Sequence, residues 1–342
     1  MREIIWIRRL ALIGAILCFG VVVLGGYTRL SNSGLGCPDW PGCFGHIAPT
    51  GSAEQYASAA DVRKAWIEMI HRYFASTLGL IIVVIAALSI RARHERGVSV
   101  RFALVLLVLV VLQGMLGMLT VTWLLKPLIV TGHLVGGLTT FALLLWLWTT
   151  KLAENRPVDA YSVLAGNRLV EDGSRARLWA GLALAALAVQ VALGGWTSSN
   201  YAALACPDVP KCQAQWIPDA NYQDAFVLWR GLGINYAGGV LDHPARVAIH
   251  FTHRVGAVLA TILLLLAVFY AFRGLGNGPR WAALAVIAAL AAQISIGVFM
   301  VLRAFPLELA AAHNAGAALL VAAAVLLNRK LRPVSDFRQL MR

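Results

Sequence analysis

Charged residues are scarce in this sequence of 342 residues. Only 13% of the residues are Asp, Glu, Lys or Arg, whereas 59% are hydrophobic, and the mean hydropathy is +0.73. A soluble domain of this length has too little interior to bury so much apolar surface, which excludes a soluble globular protein. Acidic residues number 16 against 29 basic ones, which gives a net charge of +13. Because the basic residues lie between apolar segments and not on one face, we do not predict nucleic acid as a partner.

Cysteine is also rare, with 5 in the whole chain. Cys37 and Cys43 lie in one polar segment, and Cys206 and Cys212 in another. If both segments face an oxidising compartment, the spacing favours the local disulfides Cys37–Cys43 and Cys206–Cys212. Free thiols or a metal site are the alternatives. Cys18 lies within an apolar run, and we interpret it as a small core residue.

Long apolar runs, in contrast, are abundant. A helix that crosses a bilayer needs about 20 predominantly apolar residues. Eight segments meet this requirement: Ile4–Gly26, Trp66–Ile90, Arg101–Leu125, Leu128–Thr150, Leu178–Trp196, Arg246–Phe272, Trp281–Leu302 and Leu307–Leu327. The first has basic residues before it but no small-residue cleavage site after it. We therefore predict a retained first helix and not a cleaved signal peptide.

The Lys and Arg residues between these segments indicate an orientation. Most of them lie in connections on the same side as the N-terminus, which predicts that both termini are cytoplasmic. The long loops at about 27–62 and 197–244, which carry the cysteine pairs, then lie outside. We predict a multi-pass protein of the bacterial inner (plasma) membrane, in contact with lipid.

The chain contains an internal duplication. His71-Arg72 recurs as His253-Arg254 and His133 recurs as His313, while Cys37-Pro38-Asp39 recurs as Cys206-Pro207-Asp208. Gln113 and Gly117 match Gln293 and Gly297 in the same order. Four helices in each repeat give both halves the same orientation. The predicted fold is an all-α membrane protein with eight transmembrane helices, arranged as two four-helix bundles related by an axis along the membrane normal. The predicted bundles are 1–155 and 178–342, with a cytoplasmic linker at 156–177.

Four histidines lie inside apolar helices, where a polar ring is unfavourable unless it has a function. His71 follows Asp61, a predicted N-cap, and His133 follows Pro127, a predicted first-turn residue, so the two rings should lie at similar depth. His253 and His313 should repeat this arrangement. Two imidazoles that face each other across a helix bundle suit six-coordinate haem iron, whereas zinc would need further ligands. Hydrogen-bonded packing between helices is the alternative for any single histidine.

The two pairs differ in one neighbouring residue. Glu68 precedes His71 by three residues and shares its helix face, whereas His250 takes this position in the second half. A carboxyl group here could shuttle protons or stabilise a developing positive charge. The alternative is a salt bridge from Glu68 to Arg72. The asymmetry favours one working site and one helper site.

Basic residues near the histidines could contact the haem. Arg72 and Arg254 directly follow their histidines and are candidates for binding haem propionates, although they could also extend to lipid headgroups. For Lys126 we favour the headgroup interpretation.

Three segments together resemble the heme A synthase family. They are Gly25-Gly26-Tyr27-Thr28-Arg29-Leu30-Ser31, the run from Gly34 to Cys43, and Glu68-x-x-His71-Arg72. The resemblance covers nearly the whole chain. It implies an oxidoreductase that converts a methyl group of haem O to the formyl group of haem A for terminal oxidase assembly, by successive hydroxylations and loss of water.

The resemblance also implies a division of labour. The N-terminal half would bind haem O, with Glu68, His71 and His133 as the catalytic site and the Cys37–Cys43 disulfide beside it. The C-terminal half would hold haem b as a prosthetic group between His253 and His313. The second half lacks the arginine that follows Thr28, and its His250 leaves a role open.

Such a function would call for a haem O synthase and an electron donor or acceptor as partners, and it is compatible with a homo-oligomer, but the sequence identifies none of these. The main alternative function is a two-haem transmembrane electron-transfer cytochrome b. That protein needs haems at two depths, whereas both predicted pairs lie in the outer half of the bilayer. A transporter with parallel repeats is the second alternative.

Overall fold

The computed structural model describes residues 2–49, 58–95, 97–150, 167–274 and 277–332. Eight long helices dominate it: α1 (Arg2–Leu30), α2 (Ala59–Arg91), α3 (Val100–Thr122), α4 (Pro127–Thr149), α5 (Asn167–Ser199), α6 (His243–Gly274), α7 (Asn277–Leu302) and α8 (Leu307–Leu331). Each has a segment long and apolar enough to cross a membrane. The predicted class, an all-α multi-pass membrane protein with eight spanning helices, is confirmed.

Local sequence explains where several helices begin. Ser58 is the N-cap of α2, and its hydroxyl accepts a hydrogen bond from the Asp61 backbone N–H at 3.3 Å. The predicted N-cap, Asp61, is therefore wrong by three residues, because the chain offers the earlier hydroxyl as acceptor. α4 begins with Pro127 as predicted, since its fixed φ and missing N–H suit a first helical position.

α5 begins earlier than the apolar segment does. It starts at Asn167, so the end of the predicted linker 156–177 is helical. Residues 156–166 of that linker lie outside the described residues. A helix does not have to stop at the membrane surface, because polar side chains can continue it into water.

Within each half, every long helix contacts two of the other three. In the first half α1 contacts α2 and α4, and α3 contacts α2 and α4; α5 to α8 repeat the pattern. The halves also contact each other through α1 with α8, α4 with α5 and α4 with α8. One apolar core contains Ala11 and Ala15 of α1, Leu144 of α4 and Ala324 of α8, and thus crosses both halves. The arrangement as two symmetry-related bundles stays a prediction.

The duplication extends to backbone conformation. We call the membrane side where α1 ends and α2 begins the loop end; it carries the first Cys loop (33–47) and the second Cys loop (202–217). Phe44 and Gln213 have φ values of 53° and 54°. Cys43 pairs with His46 in an isolated β-bridge, and Cys212 pairs with Gln215 in the same way. Because left-handed φ is uncommon outside glycine, the matching values indicate two loops of the same design.

Candidate functional site

The rings of His71 and His133 face each other. His71 projects from α2 and His133 from α4, and their ring centres lie 6.5 Å apart with the planes at 81°. The Nδ1 atoms of both rings are buried and have no hydrogen-bond partner among the described residues. The structure thus brings together the two histidines that the sequence paired.

Glycines on neighbouring helices make room for all four histidine rings. A β-carbon at Gly25 would lie 2.8 Å from Cε1 of His71, and one at Gly117 would lie 3.4 Å from Cε1 of His133. The second half repeats this, with Gly194 against His253 at 3.2 Å and Gly297 against His313 at 3.0 Å. The roles of Gly25 and Gly194 were missed from the sequence, although each precedes another glycine at the same point of its repeat.

The second histidine pair carries polar neighbours. His253 lies on α6 and His313 on α8, the helices that correspond to α2 and α4 in the repeat. The Gln190 amide nitrogen is 3.0 Å from Nδ1 of His253, and the Gln293 amide nitrogen is 3.2 Å from Nε2 of His313. The repeat places Val21 where the second half has Gln190, so this glutamine distinguishes the two sites.

The donor set fits a haem iron better than an isolated metal ion. Within the described part of the chain, no group of three or more His, Cys, Asp or Glu side chains could hold a metal. Two metal–nitrogen bonds of about 2 Å, with about 1 Å more to each ring centre, give a separation of about 6 Å between rings that share one metal. The 6.5 Å between His71 and His133 agrees with this value. Because the Nδ1 atoms of both rings have no hydrogen-bond partner among the described residues, no bond at these atoms competes with metal binding by the rings.

Glu68 is fixed between the first Cys loop and its own helix. Its side chain is 5% exposed, and Oε1 accepts a hydrogen bond from Nη2 of Arg72 at 2.6 Å. Oε2 accepts one from the backbone N–H of Cys37 at 3.1 Å. The salt bridge that was the alternative interpretation of Glu68 is thus present. It does not test a catalytic role, because each carboxylate oxygen can accept a further hydrogen bond.

Arg72 and Arg254 both bind the Cys loops. Nη1 of Arg72 lies 2.9 Å from the Asp39 carbonyl oxygen and also contacts those of Pro41 and Gly42. Nη1 of Arg254 donates to the Asp208 and Lys211 carbonyls at 2.7 and 2.8 Å. Nη2 of Arg254 donates to the Cys206 carbonyl oxygen, and Nε approaches Nε2 of His250 at 3.3 Å. His250 thus contacts Arg254 in the second half, as Glu68 contacts Arg72 in the first.

Both predicted disulfides are present. The sulfur atoms of Cys37 and Cys43 are 2.04 Å apart, and the Cα atoms of Cys206 and Cys212 are 4.7 Å apart. Cys18 is buried with a free thiol, as expected of a core residue.

An aspartate organises the turn inside each Cys loop. Asp39 accepts hydrogen bonds from the backbone N–H groups of Phe44 and Gly45 at 2.6 and 2.8 Å, and Asp208 accepts the equivalent pair from Gln213 and Ala214. Partial burial raises the pKa of Asp39. The N–H groups of Gly45 and Phe44, with the nearby Arg72 charge, outweigh this effect and hold the pKa below its usual range.

Two basic side chains of the first half connect it to the second. Nη2 of Arg29 donates to the Ser198 carbonyl oxygen at 2.8 Å, and its guanidinium lies 4.2 Å from the centre of the Tyr201 ring. Lys126 is only 1% exposed; its ammonium donates to the Gly231 carbonyl oxygen and lies 3.1 Å from the centre of the Trp229 ring. The prediction that Lys126 extends to lipid headgroups is wrong, because a loop 105 residues away covers it.

Comparison with known proteins identifies one family over most of the chain. The model of the COX15-CtaA family, described as cytochrome oxidase assembly protein, matches residues 8–325. A heme A synthase of Shewanella oneidensis is 38% identical over 337 residues, which cover 95% of this chain and 96% of the relative. Heme A synthases of Caulobacter vibrioides and Halalkalibacterium halodurans are 29% and 25% identical; the matches cover 91% and 90% of this chain, and 91% of each relative.

Proposed function

This chain belongs to the COX15-CtaA family of cytochrome oxidase assembly proteins, and from that membership we propose how its two histidine pairs divide the work of a heme A synthase. The function is the oxidation of a haem O methyl group to the formyl group of haem A, so the protein is an oxidoreductase. We assign the N-terminal half, residues 1–155, to the substrate and the C-terminal half, residues 178–342, to a haem b cofactor.

The assignment of the substrate half rests on one observation. The facing rings of His71 and His133 have a carboxylate three residues away on α2, whereas the second pair has His250 at that position. Oxidation of a methyl carbon releases protons and electrons, so a site that performs it needs a proton acceptor close by. Glu68 is the carboxylate that α2 provides there.

We propose that His71 and His133 hold the substrate haem through its iron, so that its edge is fixed in the N-terminal half. Glu68 would stabilise positive charge on the reacting carbon or deliver water to it. The bonds from Cys37 and Arg72 limit the rotation of the carboxylate, which suits a group that must act at one position. In the alternative mechanism, one histidine moves away from the iron to admit oxygen.

The C-terminal half would hold haem b between His253 and His313, and this group supplies one-electron transfer when bound. The Gln190 amide contacts Nδ1 of His253 and would orient that ring if Nε2 bound the iron. The Gln293 amide contacts Nε2 of His313 and would have to move if the same nitrogen of that ring bound the iron. Contact of Arg72 and Arg254 with propionates remains a prediction. A propionate would compete with the loop carbonyl oxygens, because both would accept hydrogen bonds from the same guanidinium N–H groups.

The proposed location follows from the charge distribution. Lys and Arg residues predict an inner-membrane protein with cytoplasmic termini and the Cys loops outside. A haem O synthase and an electron donor or acceptor are proposed partners, since haem O is too apolar to diffuse freely through water. A homo-oligomer is compatible with this arrangement.

Glu68→Gln tests the proposal, with His250→Gln as the matched control at the equivalent position. Each variant is expressed in a host that supplies haem O, and extracted haems are separated by chromatography. We expect Glu68→Gln to lower haem A formation by about 100-fold or more while the reduced-minus-oxidised spectrum retains the bound haem. His250→Gln should keep most of the activity.

Full haem A formation by Glu68→Gln would remove the catalytic carboxylate from the mechanism. If wild-type membranes contained two b-type haems and no hydroxylated or formylated haem, the two-haem electron-transfer cytochrome would be the better assignment.

A further inference from the structure

Large apolar side chains are exposed at the tips of both Cys loops. Ile47 is 84% exposed, and Trp216 and Ile217 are 67% and 82% exposed. Ile47 and Trp216 take equivalent positions, each directly after the residue that bridges back to the second cysteine of its loop. Such side chains are unfavourable in water, and two at equivalent positions indicate a common apolar partner.

The length of α2 places the first tip at a membrane boundary. The helix has 33 residues, whereas about 20 cross the hydrocarbon core. Counted from its other end at Arg91, the core ends near Ile70 to Phe74. The Tyr73 hydroxyl donates to the carbonyl oxygen of Ile47 at 2.5 Å. Tyrosine is enriched at this level of a bilayer, and this favours a position of Ile47 beside the boundary.

The first tip also continues a surface that faces lipid. Trp66, Ile70, Tyr73 and Phe74 follow the spacing of one helix face, and all four are at least 36% exposed. In a spanning helix, an exposed apolar face is the face that contacts lipid. Ile47 is attached to this face through Tyr73.

The second tip lies at a similar level. About 20 residues from Arg273, at the other end of α6, lead back to Arg254, which binds the carbonyl oxygens of Cys206, Asp208 and Lys211. The Lys211 ammonium is 5.7 Å from the centre of the Trp216 ring. A tryptophan beside a lysine is typical of the headgroup region, where the ring is partly buried and the ammonium meets phosphate.

We propose that the tips, Ile47 and Trp216–Ile217, insert into the headgroup–acyl boundary of the leaflet at the loop end. They anchor the Cys loops to lipid, while Arg72 and Arg254 anchor the same loops to the helices. Each loop is thereby held from two sides above its histidine pair. This inference does not depend on the reaction that the protein catalyses.

Quenching by brominated lipids tests the insertion. The full chain is reconstituted into phosphatidylcholine–phosphatidylglycerol vesicles with bromine near the top of the acyl chains, near their ends, or absent. The emission of Trp216 is obtained by subtracting the spectrum of Trp216→Phe, and Ile47→Trp reports on the first tip. We expect shallow bromines to lower both emissions about two-fold, and deep bromines to have little effect.

Aqueous iodide provides the opposing measurement. Insertion predicts that iodide quenches neither tip efficiently. If iodide quenched both reporters while shallow bromines left them unchanged, the tips would lie in water or await a protein partner, and the proposal would be overturned. Conservative exchange of exposed residues should leave the fold intact, and the unchanged emission of the other tryptophans checks this.

Discussion

A β-carbon on Gly25 would lie 2.8 Å from Cε1 of His71, so this imidazole rests directly on the backbone of α1. Real β-carbons essentially never approach so closely. The position of the ring is thus determined by the absence of a side chain on a neighbouring helix.

Gly25→Ala should displace the His71 ring and weaken binding of haem in the N-terminal half. Gly194→Ala is the matched variant, and its β-carbon would lie 3.2 Å from the ring of His253, which a small shift can accommodate. We expect a larger loss of bound haem for Gly25→Ala than for Gly194→Ala, measured as haem per protein by the pyridine haemochrome method. Equal occupancy in both variants would contradict the proposed role of Gly25.

Gly26→Ala should weaken the contact between the two halves. A β-carbon at Gly26 would lie 1.7 Å from the amide nitrogen of Asn314 on α8, so the Asn314 side chain must move. We expect a destabilisation of about 1–3 kcal/mol, seen as a lower midpoint of thermal unfolding in detergent.

Asn314→Ala provides the control for this clash. Because the shorter side chain leaves space for the new methyl group, the double variant should recover part of the loss. If the destabilisations caused by the two substitutions simply added, a clash between Gly26→Ala and Asn314 would not be the cause of the lower stability.

Much of the fold could be predicted because it depends on local pattern. Apolar length identifies eight spans, and repeated His, Gln and Cys residues pair the histidines and the disulfides. The beginning of α2 was less predictable, since Ser58 and Asp61 are both good N-caps and lie within one turn. α5 extends to Asn167 through polar residues that carry no apolar signal.

The contacts of basic residues could not be predicted from local pattern. Lys126 lies at a helix start, where an extended lysine is the usual outcome, yet the loop that contains Trp229 and Gly231 covers it. Arg72 and Arg254 donate to loop carbonyls, a contact that their position next to the histidines did not predict, and their contact with haem propionates stays a prediction. Such contacts depend on chain segments distant in sequence, and motif spacing does not encode them.

Lys126→Met should loosen the loop around Trp229. The substitution removes the hydrogen bond to the Gly231 carbonyl oxygen and the cation–π contact, and Met keeps a similar apolar volume. We expect a loss of about 1–3 kcal/mol of stability. Trp229→Leu alone and combined with Lys126→Met completes a double-mutant cycle in thermal unfolding. A coupling energy near zero would show that the ammonium and the ring do not stabilise each other.

Protonation of Asp39 in acid should destabilise the first Cys loop. Because the pKa of Asp39 is held below its ordinary value of about 3.9, the unfolded loop binds more protons than the folded one in this range. The contribution of ionised Asp39 to the stability of the loop is therefore complete at pH values above its ordinary pKa. It is lost as the pH falls through the lowered pKa of the folded loop. Asp208 has a lowered pKa for the same backbone reason, so the second loop should behave likewise.

A phosphine reductant that works in acid, followed by thiol labelling, measures this opening. Reduction of Cys37–Cys43 should accelerate as pH falls below about 4, beyond the change seen in a small-molecule disulfide. Asp39→Asn should show faster reduction already at neutral pH, with little further acceleration in acid, because the amide cannot titrate. Asp208→Asn should change only Cys206–Cys212, since its hydrogen bonds lie within the second loop. If Asp39→Asn kept the wild-type acid acceleration, another group would have to open the loop.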